Sequence, residues 1–177
     1  MNKILSLIFI LTLFQNTMTL FNFNDQSDIS NWNIVDDVVM GGRSNGTFGL
    51  SNSGKGLFKG KVSLENNGGF SMVQYRFNAK QVNNFTKVSI RLKGDGKSYQ
   101  FRIKTNNSND YSYVAPFQTS GEWETIEIPF NSMYPAFRGR KLNIGNYRGE
   151  QMELIAFLIG NKKAESFQLE IENIELK

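Results

Sequence analysis

Lys87-Val88-Ser89-Ile90-Arg91-Leu92-Lys93 leads through Gly94-Asp95-Gly96-Lys97 into Ser98-Tyr99-Gln100-Phe101-Arg102-Ile103-Lys104. In the first run Val88, Ile90 and Leu92 fall on one face, with bases and Ser on the other. In the last run Tyr99, Phe101 and Ile103 alternate against Gln100, Arg102 and Lys104. A period of two is the signature of a half-buried strand. The glycine-flanked turn between them predicts an antiparallel hairpin with one wet face, on which Arg91, Lys93, Arg102 and Lys104 gather.

The rest of the chain follows the same grammar. Leu57 to Leu64 and Phe70 to Phe77 read as a second strand pair around Glu65-Asn66-Asn67-Gly68-Gly69, whose Asn and Gly tolerate left-handed backbone. Trp123 to Ile128 is a strand stopped by Pro129, which has no N–H for a ladder. Glu153 to Ile159 is apolar on both parities, as expected of a central strand covered on each side. Phe167, Leu169 and Ile171 point inward, and the apolar parity then moves to Ile174 and Leu176, predicting a bulge near Asn173. No long helix is expected. The fold class is all-β: a sandwich of about eight to ten strands in two antiparallel sheets.

Lys3 followed by the apolar run Ile4 to Phe14 has the form of a secretory signal peptide, too short to span a bilayer. On that reading residues 1–19 are a leader, residues 20–177 form one domain without a transmembrane span, and the protein is exported, periplasmic or secreted. The chain has no Cys and no His. This removes thiol and imidazole nucleophile arrangements and nearly all zinc, copper and haem sites. Oxygen-ligand sites such as calcium stay open, but no cofactor is indicated. The net charge of +4 is spread among charges of both signs, without the basic run that nucleic-acid binding would show.

Few residues suggest chemistry. Asp36-Asp37-Val38-Val39-Met40-Gly41-Gly42-Arg43-Ser44 reads as a shaped loop entering a sheet, since paired glycines allow positive φ and close backbone approach. Asp36-Asp37 and Asp95 could supply the two carboxylates a glycosidase needs, yet all read first as turn or cap residues. Asn66-Asn67-Gly68-Gly69-Phe70 sets amides beside an aromatic, which suits a sugar and equally suits a tight turn. Tyr134-Pro135-Ala136-Phe137-Arg138-Gly139-Arg140-Lys141 is a loop rich in Tyr and Arg, the residues enriched in interface hot spots. The candidate ligand or partner contacts are therefore Asp37, Arg43, Asn67, Asp95, Tyr134 and Arg138.

Seven segments in order resemble the complex I intermediate-associated protein 30 family. They are Asp36 to Ser44, Phe58-Lys59-Gly60, Asn67-Gly68-Gly69-Phe70, Gly94 to Tyr99, Gly121-Glu122-Trp123 with Ile128-Pro129-Phe130, Phe137-Arg138-Gly139, and Phe167 to Ile171. The resemblance implies a galactose-binding-like jelly roll, similar to some carbohydrate-binding modules, and a non-catalytic role. Relatives in mitochondria assist assembly of respiratory complex I. The resulting expectation is no enzyme but a protein-binding assembly or scaffolding factor, with a partner in the cell envelope. The alternative is a glycan-binding module.

Overall fold

A computed structural model describes residues 16–177; the leader segment at residues 1–15 lies outside the described residues. Thirteen strands are present: β1 (Met18–Asn22), β2 (Trp32–Asp36), β3 (Asn45–Leu50), β4 (Gly56–Val62), β5 (Ser71–Gln81), β6 (Lys87–Lys93), β7 (Ser98–Lys104), β8 (Ser112–Gln118), β9 (Trp123–Pro129), β10 (Tyr134–Phe137), β11 (Arg140–Lys141), β12 (Gln151–Ile159) and β13 (Glu165–Leu176). Three short 3-10 turns are the described helical segments. The expected eight to ten strands become thirteen because β1, β10 and β11 are brief pieces whose sequences are too short to show a period. A boundary after residue 19 falls inside β1, where Met18 pairs with Leu176 and Thr19 with Glu175.

The strands form two antiparallel sheets, β3-β4-β13-β6-β9 with β1 also on β13, and β11-β10-β8-β7-β12-β5-β2. The inner faces supply the predicted side chains: Val88, Ile90, Leu92, Phe167, Leu169 and Ile171 from the first sheet, and Tyr99, Phe101, Ile103, Ile155, Phe157 and Ile159 from the second. The register of β13 against β6 shifts between Ile171 and Asn173, so the bulge lies where the change of parity put it. Pro129 ends β9, the edge strand of its sheet, where a missing N–H costs nothing.

Both predicted hairpins are corrected. β6 pairs with β13 and β9, whereas β7 pairs with β8 and β12. Likewise β4 pairs with β3 and β13, and β5 with β2 and β12. Each intervening turn carries the chain across the sandwich from one sheet to the other. Alternation reports which side chains face the core, and both sheets of a sandwich require the same alternation, so it does not say which sheet a strand joins. The four bases therefore divide between two surfaces: Arg91 and Lys93 face outward from the six-stranded sheet, Arg102 and Lys104 from the seven-stranded one.

Candidate functional site

Asp37 organises one end of the sandwich from inside. It follows β2, opens the 3-10 turn Asp37–Met40, and is fully buried. Its Oδ1 accepts the Ser44 amide (3.0 Å), and its Oδ2 accepts the Ser44 hydroxyl (2.5 Å) and the amides of Gly69 (2.6 Å) and Phe70 (3.2 Å). Burial pushes its pKa up, but these hydrogen bonds outweigh it and hold the carboxyl below its ordinary value. A Cβ on Gly42 or Gly68 would collide with this side chain, which explains the glycines around it. Asp36 ties the same end together through the Gly46 amide (2.8 Å) and the Ser71 hydroxyl. The motif is a hydrogen-bonded clasp between two loops, and Asp37 presents no surface to a ligand.

Asp95 is also used internally. It accepts the Tyr99 hydroxyl (2.9 Å), the Lys97 ammonium (2.7 Å) and the Gln168 amide (3.0 Å), fastening the β6–β7 crossover to β13. Arg43 is exposed and pairs with Glu65 at 3.1 Å. Asn67 is exposed with φ of 60° at the tip of its loop. By register, Asp37, Arg43, Asn67 and Asp95 lie at one end of the sandwich, while Arg138 lies at the other. Arg138 and Gly139 form the two-residue turn between β10 and β11, with φ of 47° and 77°. Tyr134 stands apart from all of these, on the outer face of the seven-stranded sheet opposite Val114. The six candidates therefore do not form one site.

Tyr134 does belong to a constellation that the sequence reading missed. Five buried apolar residues, Val114, Ala136, Leu154, Ala156 and Leu158, lie outside the core cluster. All five have outward parity on the seven-stranded sheet. The described strands make two layers only, so no third sheet covers them, yet they are between 0% and 7% exposed, shielded within their own face. Leu154, Ala156 and Leu158 instead form an apolar stripe along β12. On one side runs a rail of Gln100, Arg102 and Lys104 from β7; on the other, Met72, Gln74 and Arg76 from β5. Lys141 also faces outward, its ammonium 5.4 Å from the centre of the Tyr134 ring.

The charges on this face are one-sided. No Asp or Glu stands on the two rails or the stripe, and among the described ion pairs none includes Arg76, Arg102 or Lys104. On the opposite outer face three bases are paired, Lys87 with Glu127 (2.8 Å), Lys55 with Glu172 (2.6 Å), and Arg91 with Glu172 (3.8 Å), while Lys59 and Lys61 stand exposed outside the described ion pairs. Arg102 is half-buried, and its Nε and Nη2 both donate to Gln100 Oε1, at 3.2 and 2.8 Å. Burial pulls its pKa down, with Tyr134 acting in the other direction, yet a guanidinium stays charged. Burial likewise lowers Lys104, helped by the charge of Arg76 and opposed by Asp110. The double apolar parity of β12 predicts a strand covered on each side, and its outward residues Leu154, Ala156 and Leu158 are indeed buried.

The family model for complex I intermediate-associated protein 30 matches residues 21–171. Among curated relatives, the mitochondrial complex I intermediate-associated protein 30 of Drosophila melanogaster is 25% identical over 146 residues, covering 70% of this chain and 49% of its own. The mouse (Mus musculus) protein of that name is 23% identical over 185 residues, covering 92% and 56%. The chain spans about half the length of these relatives. Among solved structures, a family 11 carbohydrate-binding module from Clostridium thermocellum, in complex with a β-1,3-1,4-mixed-linked tetrasaccharide, matches with a TM-score of 0.63 at 20% identity, over 90% of this chain and 94% of its own. A family 29 carbohydrate-binding module matches with a TM-score of 0.56 at 9% identity, over 92% and 91%. At these identities the likeness is one of fold: the galactose-binding-like jelly roll. The relatives' names place them in mitochondria, which overturns the expected export to a periplasm or the outside. That expectation rested on one lysine and a short apolar run, a compositional pattern that does not by itself fix a compartment.

Proposed function

This chain belongs to the complex I intermediate-associated protein 30 family, and from that premise we propose that it is a non-catalytic module that holds a protein partner on the outer face of its seven-stranded sheet. The observation that carries this reading is a set of cations without an ion pair, Arg76, Arg102 and Lys104, on two rows of an outer face that hold no acid. Leu154, Ala156 and Leu158 lie buried between those rows, and Arg102, with Tyr134 farther out on the same face, is of the kind from which interface hot spots are made. By kinship with relatives named for intermediates of complex I, the partner is a subunit or intermediate of such an assembly in mitochondria.

A glycan is the second reading, favoured by the jelly-roll fold and by the amides of Gln74 and Gln100 on the same face. Sugars bind such faces by stacking on aromatic rings, and the rows described above contain one aromatic, Tyr134. The protein partner is therefore preferred.

A photo-crosslinker placed at Gln74 tests the proposal in extracts of mitochondrial membranes. Capture of a defined protein that Arg102→Glu abolishes, and that Lys59→Glu on the opposite face leaves intact, is the expected result. Capture unaffected by Arg102→Glu, or recovery of polysaccharide alone, refutes it.

A further inference from the structure

The two rails say what kind of segment the face accepts. Resting on the partner-binding reading above, we infer that the outer face of the seven-stranded sheet takes an extended, acidic peptide segment laid along β12. Three observations lead there.

Charge complementarity comes first. Among the described ion pairs none includes Arg76, Arg102 or Lys104, whereas Lys55, Lys87 and Arg91 of the other outer face each have a carboxylate at 2.6 to 3.8 Å; Lys104 donates to the Asn109 carbonyl (2.6 Å) and has Asp110 as an opposing charge. Arg102 bears this out most clearly. A partly desolvated cation is costly unless it is paired, and its partner within the chain is a neutral amide oxygen, that of Gln100. That contact fixes the guanidinium by two of its five N–H donors and leaves others to meet a carboxylate. A charged acceptor strengthens such bonds roughly twofold over a neutral one.

Spacing comes second. Arg102 and Lys104 are two residues apart on β7, hence about 7 Å apart along the strand. Gln74 and Arg76 have the same separation on β5. An extended peptide repeats its side chains on one side at this same interval of about 7 Å. Lys104 and Arg76 both oppose Leu154 and so flank it, about 10 Å from each other across two strand spacings. A peptide strand fits between them.

The floor comes third. Leu154, Ala156 and Leu158 are only 4%, 0% and 7% exposed, so a ligand meets the rail side chains beside them, and Gln100, Arg102, Lys104, Met72, Gln74 and Arg76 include no ring on which a sugar could stack. Acidic side chains toward the cations, on a face whose rails offer no ring to a sugar, describe a peptide better than a polyuronate.

The test uses the whole chain and a blocked octapeptide alternating Glu and Val, with the Lys-Val peptide and polygalacturonate as controls. Binding is followed by amide chemical shifts. The Glu-Val peptide should move the resonances of Leu154, Ala156 and Leu158. Arg102→Gln should weaken it about tenfold, the loss of one charged hydrogen bond, while Arg148→Gln, with the same loss of charge at a remote loop, should not. Arg76→Gln, at an exposed position, gives the same reading should Arg102→Gln fold poorly. Equal binding of the Lys-Val peptide, binding of polygalacturonate but not peptide, or shifts centred on Arg138 to Arg148 would each overturn the inference. If the acidic peptide fails while the Gln74 crosslink is still lost in Arg102→Glu, this inference falls and the partner-binding reading stands.

Discussion

Replacing Asp37 by Asn keeps the shape of the clasp and removes its charge. The carboxylate accepts four hydrogen bonds, from the Ser44 amide, the Ser44 hydroxyl and the amides of Gly69 and Phe70. An amide side chain cannot satisfy all of them, because its NH2 must face at least one N–H donor in either orientation. The less costly choice turns NH2 toward the Ser44 amide and keeps the oxygen on Gly69 and Phe70. One buried N–H then loses its acceptor, at about 1–3 kcal/mol, and the remaining bonds lose their charge assistance. The sum is about 2–3 kcal/mol, with the group fully buried. For a domain of this size that lowers Tm by roughly 4–12 °C at neutral pH. Acid supplies an internal control. The folded-state pKa of Asp37 is lowered, so its contribution is present above the unfolded value near 3.8 and is lost as pH falls from there through the folded value. Calorimetry of both proteins should show their Tm gap closing below that pH. A neutral-pH gap under about 2 °C, or one that stays constant into acid, would refute the clasp.

Gly42→Ala should destabilise by about 2 kcal/mol or more in denaturant melts, since the new Cβ overlaps the Asp37 carboxylate; in the Asp37→Ala background the penalty should shrink. Tyr99→Phe removes the hydroxyl that donates to Asp95 and should lower stability by about 1 kcal/mol without changing binding at the β12 stripe. Arg138→Asn should raise Tm by roughly 1–4 °C, because Asn accepts the left-handed φ of 47° that Arg holds at some cost; an unchanged Tm would show that the turn is not strained.

How far the sequence was legible depended on which interaction fixed each feature. The inward faces of β6, β7 and β13 and the bulge after Ile171 were readable because period-two burial is local and strong. Strand partners were not, because the crossovers at Gly94 to Lys97 and Leu64 to Phe70 are chosen by contacts distant in sequence. Asp95 reaches Gln168 and Asp37 reaches Gly69, and neither contact leaves a mark in a window of a dozen residues. The same cause hid what Asp37 and Asp95 hold. Asp37 and Asp95 drew attention as carboxylates among glycines, yet those glycines are there to make room for carboxylates that bind their own chain.

The proposed binding face is the converse case: Arg102, Lys104 and Arg76 read as ordinary outward positions of alternating strands. What distinguishes them is an acid that does not appear opposite them, a property of the sheet and not of any single strand. The six-stranded sheet is built from equally alternating strands, and three of its outward bases, Lys87, Lys55 and Arg91, meet Glu127 and Glu172. Two faces of similar composition therefore differ in what they can still gain. Pairing a cation that is already matched and solvated returns little, of order 0–1 kcal/mol. Pairing a half-buried guanidinium held by an amide returns more, because part of its desolvation has already been paid in folding. On the proposed reading, a partner carrying carboxylates gains more at the seven-stranded face, at the half-buried Arg102, than at the other.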